Sequence, residues 1–261
     1  MVSVALAGLL LSFAIALPAW AASVRLRDAS VADRIWPLLI AAPACLAVIC
    51  LDGGPRAYLM LALLLLWAVR LGIFITWRNW GHGEDRRYAA MRQEHGERFA
   101  LRSLFTVFGL QAVIAWIVSW PVLAGAAASA PLGVLDVIGA AIVLFGIVFE
   151  AVADSQLARF KADAGNRGAV MDRGVWGWSR HPNYFGEACV WWGLALMGIA
   201  GGDAAAAWSL LSPVLMTILL LNVSGVSLLE KDIAERRPGY RDYVRRTNAF
   251  VPWPPRNGDA R

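Results

Sequence analysis

Charge is scarce in this sequence. Asp, Glu, Lys and Arg make up 16% of its 261 residues, against 59% hydrophobic residues. A water-soluble domain carries roughly 25% charged and about 45–50% apolar residues. The shortfall excludes an ordinary soluble domain and points to the bilayer as solvent. Cysteine and histidine are also few. Three cysteines without a C-x-x-C pair, and three histidines without a cluster, exclude a disulfide framework and a metal centre. Cys45, Cys50 and Cys189 lie in apolar stretches and read as small packing residues. No G-x-G-x-x-G follows a strand-like run, so no Rossmann domain is expected. The net charge of +5 is spread loop by loop rather than gathered in one patch, which argues against a nucleic-acid partner.

What is present is a series of long apolar runs. A spanning helix needs roughly 20 mainly apolar residues. Seven stretches fit or nearly fit: 1–22, 35–51, 57–77, 104–124, 133–153, 184–200 and 205–225. Pro-Gly-rich breaks such as Gly53-Gly54-Pro55 and Gly201-Gly202 separate them as turns. The first run ends in Ala19-Trp20-Ala21, which is similar to a cleavage site. Arg25 and Arg27 follow it and no basic residue precedes it, the wrong order for a signal peptide. It reads as the first membrane helix. The expected fold class is therefore all-α, a polytopic membrane bundle of about seven transmembrane helices. It divides into two halves, 1–125 and 126–261.

Basic residues give the bundle a direction. Segments 23–34, 78–103, 154–183 and the tail from 226 hold all of them except Arg56, in an opposite loop, and Arg70, within a span. Cytoplasmic loops collect Lys and Arg, so the N-terminus is expected outside and the C-terminus cytoplasmic. An ionisable residue inside a span is costly and is a functional suspect. Arg70, Gln111, Glu150, Glu187 and Asn222 all fall in the cytoplasmic halves of their spans, with Asp33 and Glu230 at span edges. Asp136, at the outer end of the fifth span, is the exception. Such convergence describes a polar pocket open to the cytosol, and arginines at its mouth suit a phosphate-bearing ligand.

The most informative segment is Trp178-Ser179-Arg180-His181-Pro182-Asn183-Tyr184-Phe185-Gly186-Glu187. Proline is favoured in a first helical turn, so the sixth helix is expected to start at Pro182, with Ser179 or His181 near its cap. A helix N-terminus offers free N–H groups and partial positive charge, a seat for phosphate. Asn183 and Glu187, four apart, share a face.

This segment resembles that of the steroid 5-alpha-reductase-like superfamily of membrane reductases, in particular its bacterial branch. Supporting pieces are Asp33-x-x-Trp36, Trp67-x-x-Arg70-Leu71, Gly83-Glu84-Asp85-x-Arg87-Tyr88 and Gln111. Further on come Ser224-Gly225-Val226-x-Leu228-Leu229-Glu230, Tyr240-x-x-Tyr243 and Phe250-Val251-Pro252. The resemblance implies NADPH as cofactor, contacted by Asp154, Arg173, Arg180, His181, Asn183, Tyr184, Glu187, Glu230 and Tyr240. Arg78, Asp85, Arg87 and Tyr88 are further candidates for its phosphates or ribose. The eukaryotic steroid reductases also use a Gln-Glu pair in an early helix and a Tyr in the next. Here no such pair stands in the N-terminal spans, and Trp67 takes the place of that Tyr. The resemblance thus implies a cofactor half, 126–261 with its loops and cytoplasmic tail, which matches, and a substrate half, 1–125, which departs.

The expected activity is reduction of a carbon–carbon double bond in a lipid-soluble, enone-like substrate. A donor beside the substrate carbonyl would stabilise the developing enolate. Asp33 and Arg70 are the candidates for that donor or its support. Burial favours the protonated form Asp33 needs in order to donate; the alternative for Asp33 is a helix cap. The chain is also similar, more distantly, to isoprenylcysteine carboxyl methyltransferases, which use S-adenosylmethionine. A non-catalytic lipid-binding or transport protein is a third possibility.

Overall fold

The computed structural model describes residues 1–202, 204–223, 230, 237 and 239–256. The stretch Ser224–Leu229 of one quoted motif lies outside the described residues, as do Lys231, Arg236 and Arg261. Helix α1 (Val2–Leu26) ends at Arg27 in a left-handed conformation, φ 52°. Helix α2 (Val31–Cys50) carries Pro37 and Pro43 inside it, and α3 (Pro55–Asn79) opens on a proline. The helical run α4 (Arg86–Ala127) contains a π-helical turn at Leu104–Gly109. Then follow α5 (Val134–Ala162), α6 (Pro182–Ile199), α7 (Leu211–Ile218) and the short α8 (Tyr240–Arg246). Among the described residues there is no strand, only an isolated bridge between Ser179 and Asn248.

Helices α1 to α5 are each long and apolar enough to cross a membrane. The chain is an integral membrane protein. Helices α6 and α7 lie where the sixth and seventh apolar stretches were expected, and Pro182 is the first residue of α6. Several boundaries differ from the hydropathy pattern, two of them with consequences for polar residues. The fifth stretch ends at 153, yet α5 continues to Ala162, because backbone hydrogen bonding does not stop where side chains turn polar. The second begins at Val31 rather than 35, which puts Asp33 in the first turn of α2. Ser30 holds the N-cap position, so Asp33 is not the cap.

The chain folds as two compact units. Unit 1 is Met1–Asp136 with Ala195–Ser212. Its core is apolar: Leu39, Ile40, Met60, Leu64, Trp67 and Phe108 are fully buried. One ion pair is buried with them. Arg56, in the first turn of α3, donates to both carboxylate oxygens of Asp136 at 2.7 and 2.9 Å. Its remaining donors reach the carbonyls of Ala130, Pro131 and Ala200 at 2.9–3.2 Å. Asp136 also accepts the Gly133 N–H at 2.8 Å. A buried ion pair offsets its desolvation only when its other donors and acceptors are also satisfied. Here they are, and the pair ties α3 to the start of α5 and the end of α6.

Unit 2 is Val137–Leu194 with Pro213–Arg261. Its helices α5 and α6 meet along glycines seven residues apart on each helix. A Cβ added at Gly146 would lie 2.6 Å from the Gly186 carbonyl oxygen. One at Gly193 would lie 2.6 Å from the Gly139 carbonyl oxygen. Small residues let the two backbones approach, and this contact sets the position of α6 and of the polar residues at its start.

Candidate functional site

In unit 2 the polar side chains gather around the N-terminus of α6. Ser179 is fully buried; its hydroxyl donates to the Phe250 carbonyl at 2.8 Å and accepts the His181 N–H at 3.1 Å. The Arg180 N–H meets the Asn248 carbonyl at 2.9 Å, so the strand-like pairing of these segments clamps the entry to α6. Tyr243, buried on α8, donates its hydroxyl to the Trp176 carbonyl at 2.5 Å and the Ser179 carbonyl at 3.2 Å. With the backbone so fixed, the side chains that follow have little freedom.

Arg180 and His181 both turn to Glu230. The guanidinium donates to the two carboxylate oxygens at 2.8 and 3.0 Å, and the His181 Nε2 lies 2.9 Å from Oε1. Another Arg180 nitrogen reaches the Thr247 carbonyl at 2.7 Å. His181 is buried and stacks on Tyr184, with ring centroids 5.5 Å apart. Burial opposes the charge of Glu230, but hydrogen bonds from His181 and Arg180, and their charge, hold its carboxyl down at about 2. Burial, and next the negative charge of Glu230, push the neighbouring Tyr240 phenol up. Glu230 and Tyr240 line one side of a cavity of about 560 Å³ with Arg241 and Arg245.

The other expected contacts in unit 2 fall nearby in sequence but make separate pairs. Asn183 donates to Asp154, a buried residue of α5, at 3.3 Å. Glu187 accepts the indole N–H of Trp191 at 2.9 Å, one turn along α6. Arg173 is exposed, just before a short 3-10 turn.

In unit 1 the segment Glu84 to Tyr88 clasps the start of α2. Glu84 accepts two hydrogen bonds from Arg92, at 2.7 and 2.9 Å, and the Ala29 N–H at 2.8 Å. These bonds from Arg92 keep the Glu84 carboxyl below its ordinary range, against the opposing effect of burial. The Asp85 N–H donates to the Ser30 hydroxyl at 2.7 Å. Burial would raise the Asp85 carboxyl, but hydrogen bonds from Arg87 lower it. Asp33 accepts the Tyr88 hydroxyl at 2.7 Å and an Arg87 N–H at 2.8 Å. Arg78 is exposed at the end of α3, and Arg70 is half-buried two turns earlier.

Thus Asp33, Asp85, Arg87 and Tyr88 come together, and so do Arg180, His181, Tyr184, Glu230 and Tyr240. Sequence reasoning named Ser179 near the α6 cap, where it accepts the His181 N–H, but missed the parts of Tyr243, Thr247, Glu84 and Arg92. Tyr243 and Glu84 stand inside motifs quoted above, which was the available signal. Thr247 acts through its backbone carbonyl and left none.

A family described as a protein of unknown function, DUF1295, matches residues 19–247. The chain belongs to the DUF1295 family. The DUF1295 match takes in both the α2 clasp and the Arg180–Glu230 cluster. An uncharacterized protein of Schizosaccharomyces pombe is 27% identical over 278 aligned residues, covering 94% of this chain and 78% of the yeast protein. No solved structure gives a significant match.

Proposed function

We propose that the chain is a membrane NADPH-dependent reductase of the steroid 5-alpha-reductase-like superfamily. Its substrate would be a lipid-soluble molecule with a carbon–carbon double bond conjugated to a carbonyl. The observation that carries this reading is the gathering of Arg180, His181, Glu230 and Tyr240 at the start of α6, beside a cavity edged by Arg241 and Arg245. The donor set fits a dinucleotide phosphate. Guanidinium groups bind phosphate through paired N–H donors, and a charged carboxylate accepts from ribose hydroxyls. A helix N-terminus adds N–H groups and partial positive charge. Bound there, NADPH supplies a hydride for an electron-poor alkene carbon.

The residues of the chain have distinct tasks in this account. Arg241 and Arg245 present positive charge to phosphate at the cavity. Glu230 holds Arg180 and His181 in place, and His181 on Tyr184 offers a flat, rigid stack. Asp154, Asn183, Glu187 and Arg173 complete the proposed cofactor contacts, with Arg78, Asp85, Arg87 and Tyr88 as outlying ones. Of the two catalytic candidates, Arg70 carries donors and Asp33 is an acceptor in this arrangement. Arg70 is therefore assigned to the substrate carbonyl oxygen, where charge develops, and Asp33 to its support, through the Tyr88 and Arg87 it holds.

The same proposal includes seven spans, an outside N-terminus and a cytoplasmic C-terminus, on the grounds of basic-residue distribution, and a bacterial inner membrane, on the resemblance to the bacterial branch. Calorimetric titration of NADPH into purified Arg241→Ala and Arg245→Ala variants tests the cofactor assignment. A lost charge-assisted hydrogen bond is worth roughly 1.5–3 kcal/mol, on the order of ten- to hundredfold in affinity. Unchanged binding in both would place the phosphates elsewhere.

A further inference from the structure

The reductase reading gives no task to Phe250-Val251-Pro252, although an aromatic series of unit 2 leads straight to it. Phe145 and Phe149 of α5 stack with centroids 5.4 Å apart. Phe149 meets Phe185 of α6 edge to face at 5.9 Å, and Phe185 meets Phe250 at the same distance. Phe145 is exposed on a helix long and apolar enough to cross a membrane, so that end of the series faces hydrocarbon.

The other end lies where the apolar face of α5 gives out. The Trp176 indole donates to the Ala153 carbonyl at 2.9 Å, and Asp154, Gln156, Arg159 and Lys161 follow Ala153 along α5. Two residues beyond Trp176, the Trp178 carbonyl accepts the Trp253 N–H at 3.0 Å. Trp178, Val251 and Trp253 thus stand at the membrane boundary, and each is more than half exposed. Tryptophan, apolar in body with one polar edge, belongs at that level.

The backbone of 250–256 suits such a place. Pro252, Pro254 and Pro255 have no N–H to satisfy, and that of Arg256 meets the Arg246 carbonyl at 2.9 Å. Arg246 and Arg256 are thereby neighbours. Asp172 pairs with Arg246, while Arg256 is exposed, so the two arginines keep a net positive charge next to the apolar surface. Apolar side chains at the boundary with positive charge beside them complement one partner, a bilayer surface bearing phosphate.

We propose that 250–256 is a membrane-surface anchor that binds anionic phospholipid. Val251 and Trp253 sit at the junction of headgroups and acyl chains, and Arg256 with Arg246 meets lipid phosphate. The residues just before the anchor hold the α6 entrance, since Arg180 donates to the Thr247 carbonyl at 2.7 Å and its N–H to the Asn248 carbonyl at 2.9 Å. Seating on lipid therefore steadies that entrance, whichever cofactor it takes.

Lipids brominated near the headgroup end of the acyl chain quench tryptophans at that depth. Full-length protein is placed in phosphatidylcholine nanodiscs holding the same minor fraction of brominated phosphatidylcholine or of brominated phosphatidylglycerol. The difference between wild type and Trp253→Phe gives the emission of Trp253. Both lipids should quench it, phosphatidylglycerol the more, because one arginine near the surface enriches anionic lipid about fivefold (about 1 kcal/mol). Arg256→Gln, an exposed change that keeps the backbone N–H, should remove about that factor and leave quenching by phosphatidylcholine as it was. Trp253 unquenched by either lipid overturns the proposal and gives the surface to water or to another chain. Equal quenching by the two lipids in wild type, or a phosphatidylglycerol excess unchanged in Arg256→Gln, overturns it too.

Discussion

Arg180 and Glu230 stand fifty residues apart in sequence and meet through two hydrogen bonds of 2.8 and 3.0 Å. The carboxylate is the common partner of Arg180 and His181, so the α6 entrance depends on its charge. Burial opposes that charge, but the hydrogen bonds of His181 and Arg180 hold Glu230 at about 2 instead of the ordinary 4.5. A carboxyl lowered on folding stabilises the fold fully above its ordinary value, and the contribution is lost as pH falls through the folded value.

Glu230→Gln should therefore cost about 1.5–3 kcal/mol near neutral pH, the worth of a hydrogen bond to a charged group, the pair being part-buried. Unfolding in detergent should show the gap between wild type and variant closing as pH falls from 4.5 toward 2. A gap constant across that range would mean that shape, not charge, holds the entrance.

Asp33 accepts from both Tyr88 and Arg87. Asp33→Asn should lose roughly 1.5–3 kcal/mol of stability, the worth of a hydrogen bond to a charged group. It should leave the NADPH dissociation constant nearly unchanged, because the principal cofactor contacts are assigned to unit 2 and those near Asp33 are outlying. Glu187→Gln and Asn183→Ala should raise that constant. Once a substrate is known, Asp33→Asn should also turn over more slowly. Normal turnover in a folded variant that binds NADPH would end the catalytic assignment and leave the clasp.

Two glycine substitutions should act with opposite sign. A Cβ at Gly186 would lie 2.8 Å from backbone atoms of Gly146 and Glu150, so Gly186→Ala forces α5 and α6 apart at about 1–3 kcal/mol. Gly72, inside α3, has only Pro37 at 4.0 Å, and Gly72→Ala should gain up to about 1 kcal/mol of helix propensity. Thermal unfolding in detergent reads both. Equal shifts would mean that the glycine seam is not a close contact.

Much of the fold was legible because apolar length alone marks helices that cross a membrane. Pro182 marked the start of α6, since proline suits a first turn and little else in a helix. The polar end of α5, with Arg159 and Lys161, was invisible to the same pattern. The Arg56–Asp136 pair was also hidden. Its members lie eighty residues apart, and each alone read as an isolated charge near a loop. At the site, the sequence offered Arg180, His181 and the Tyr240-x-x-Tyr243 spacing. It did not say that Glu230 would be the shared partner, because such a partner is chosen by packing. The glycine seam left a visible seven-residue spacing in both helices, but which helices it joined was a tertiary fact.

Topology has its own test. Loop arginines predict that a reporter fused after Arg261 reads cytoplasmic, and that reporters inserted near Gly54 and Gly202 read external. A cytoplasmic signal near Gly202 would remove the seventh span and turn the pocket argument over.

The central claim is that the cluster at the start of α6 serves NADPH. Calorimetric titration of purified wild-type protein with NADPH and, separately, with S-adenosylmethionine is the most direct measurement. The account predicts saturable NADPH binding, in the micromolar range (about −8 kcal/mol), lost in Arg180→Ala, and no S-adenosylmethionine binding. Saturable binding of S-adenosylmethionine with none of NADPH would contradict it and give the site to a methyltransferase.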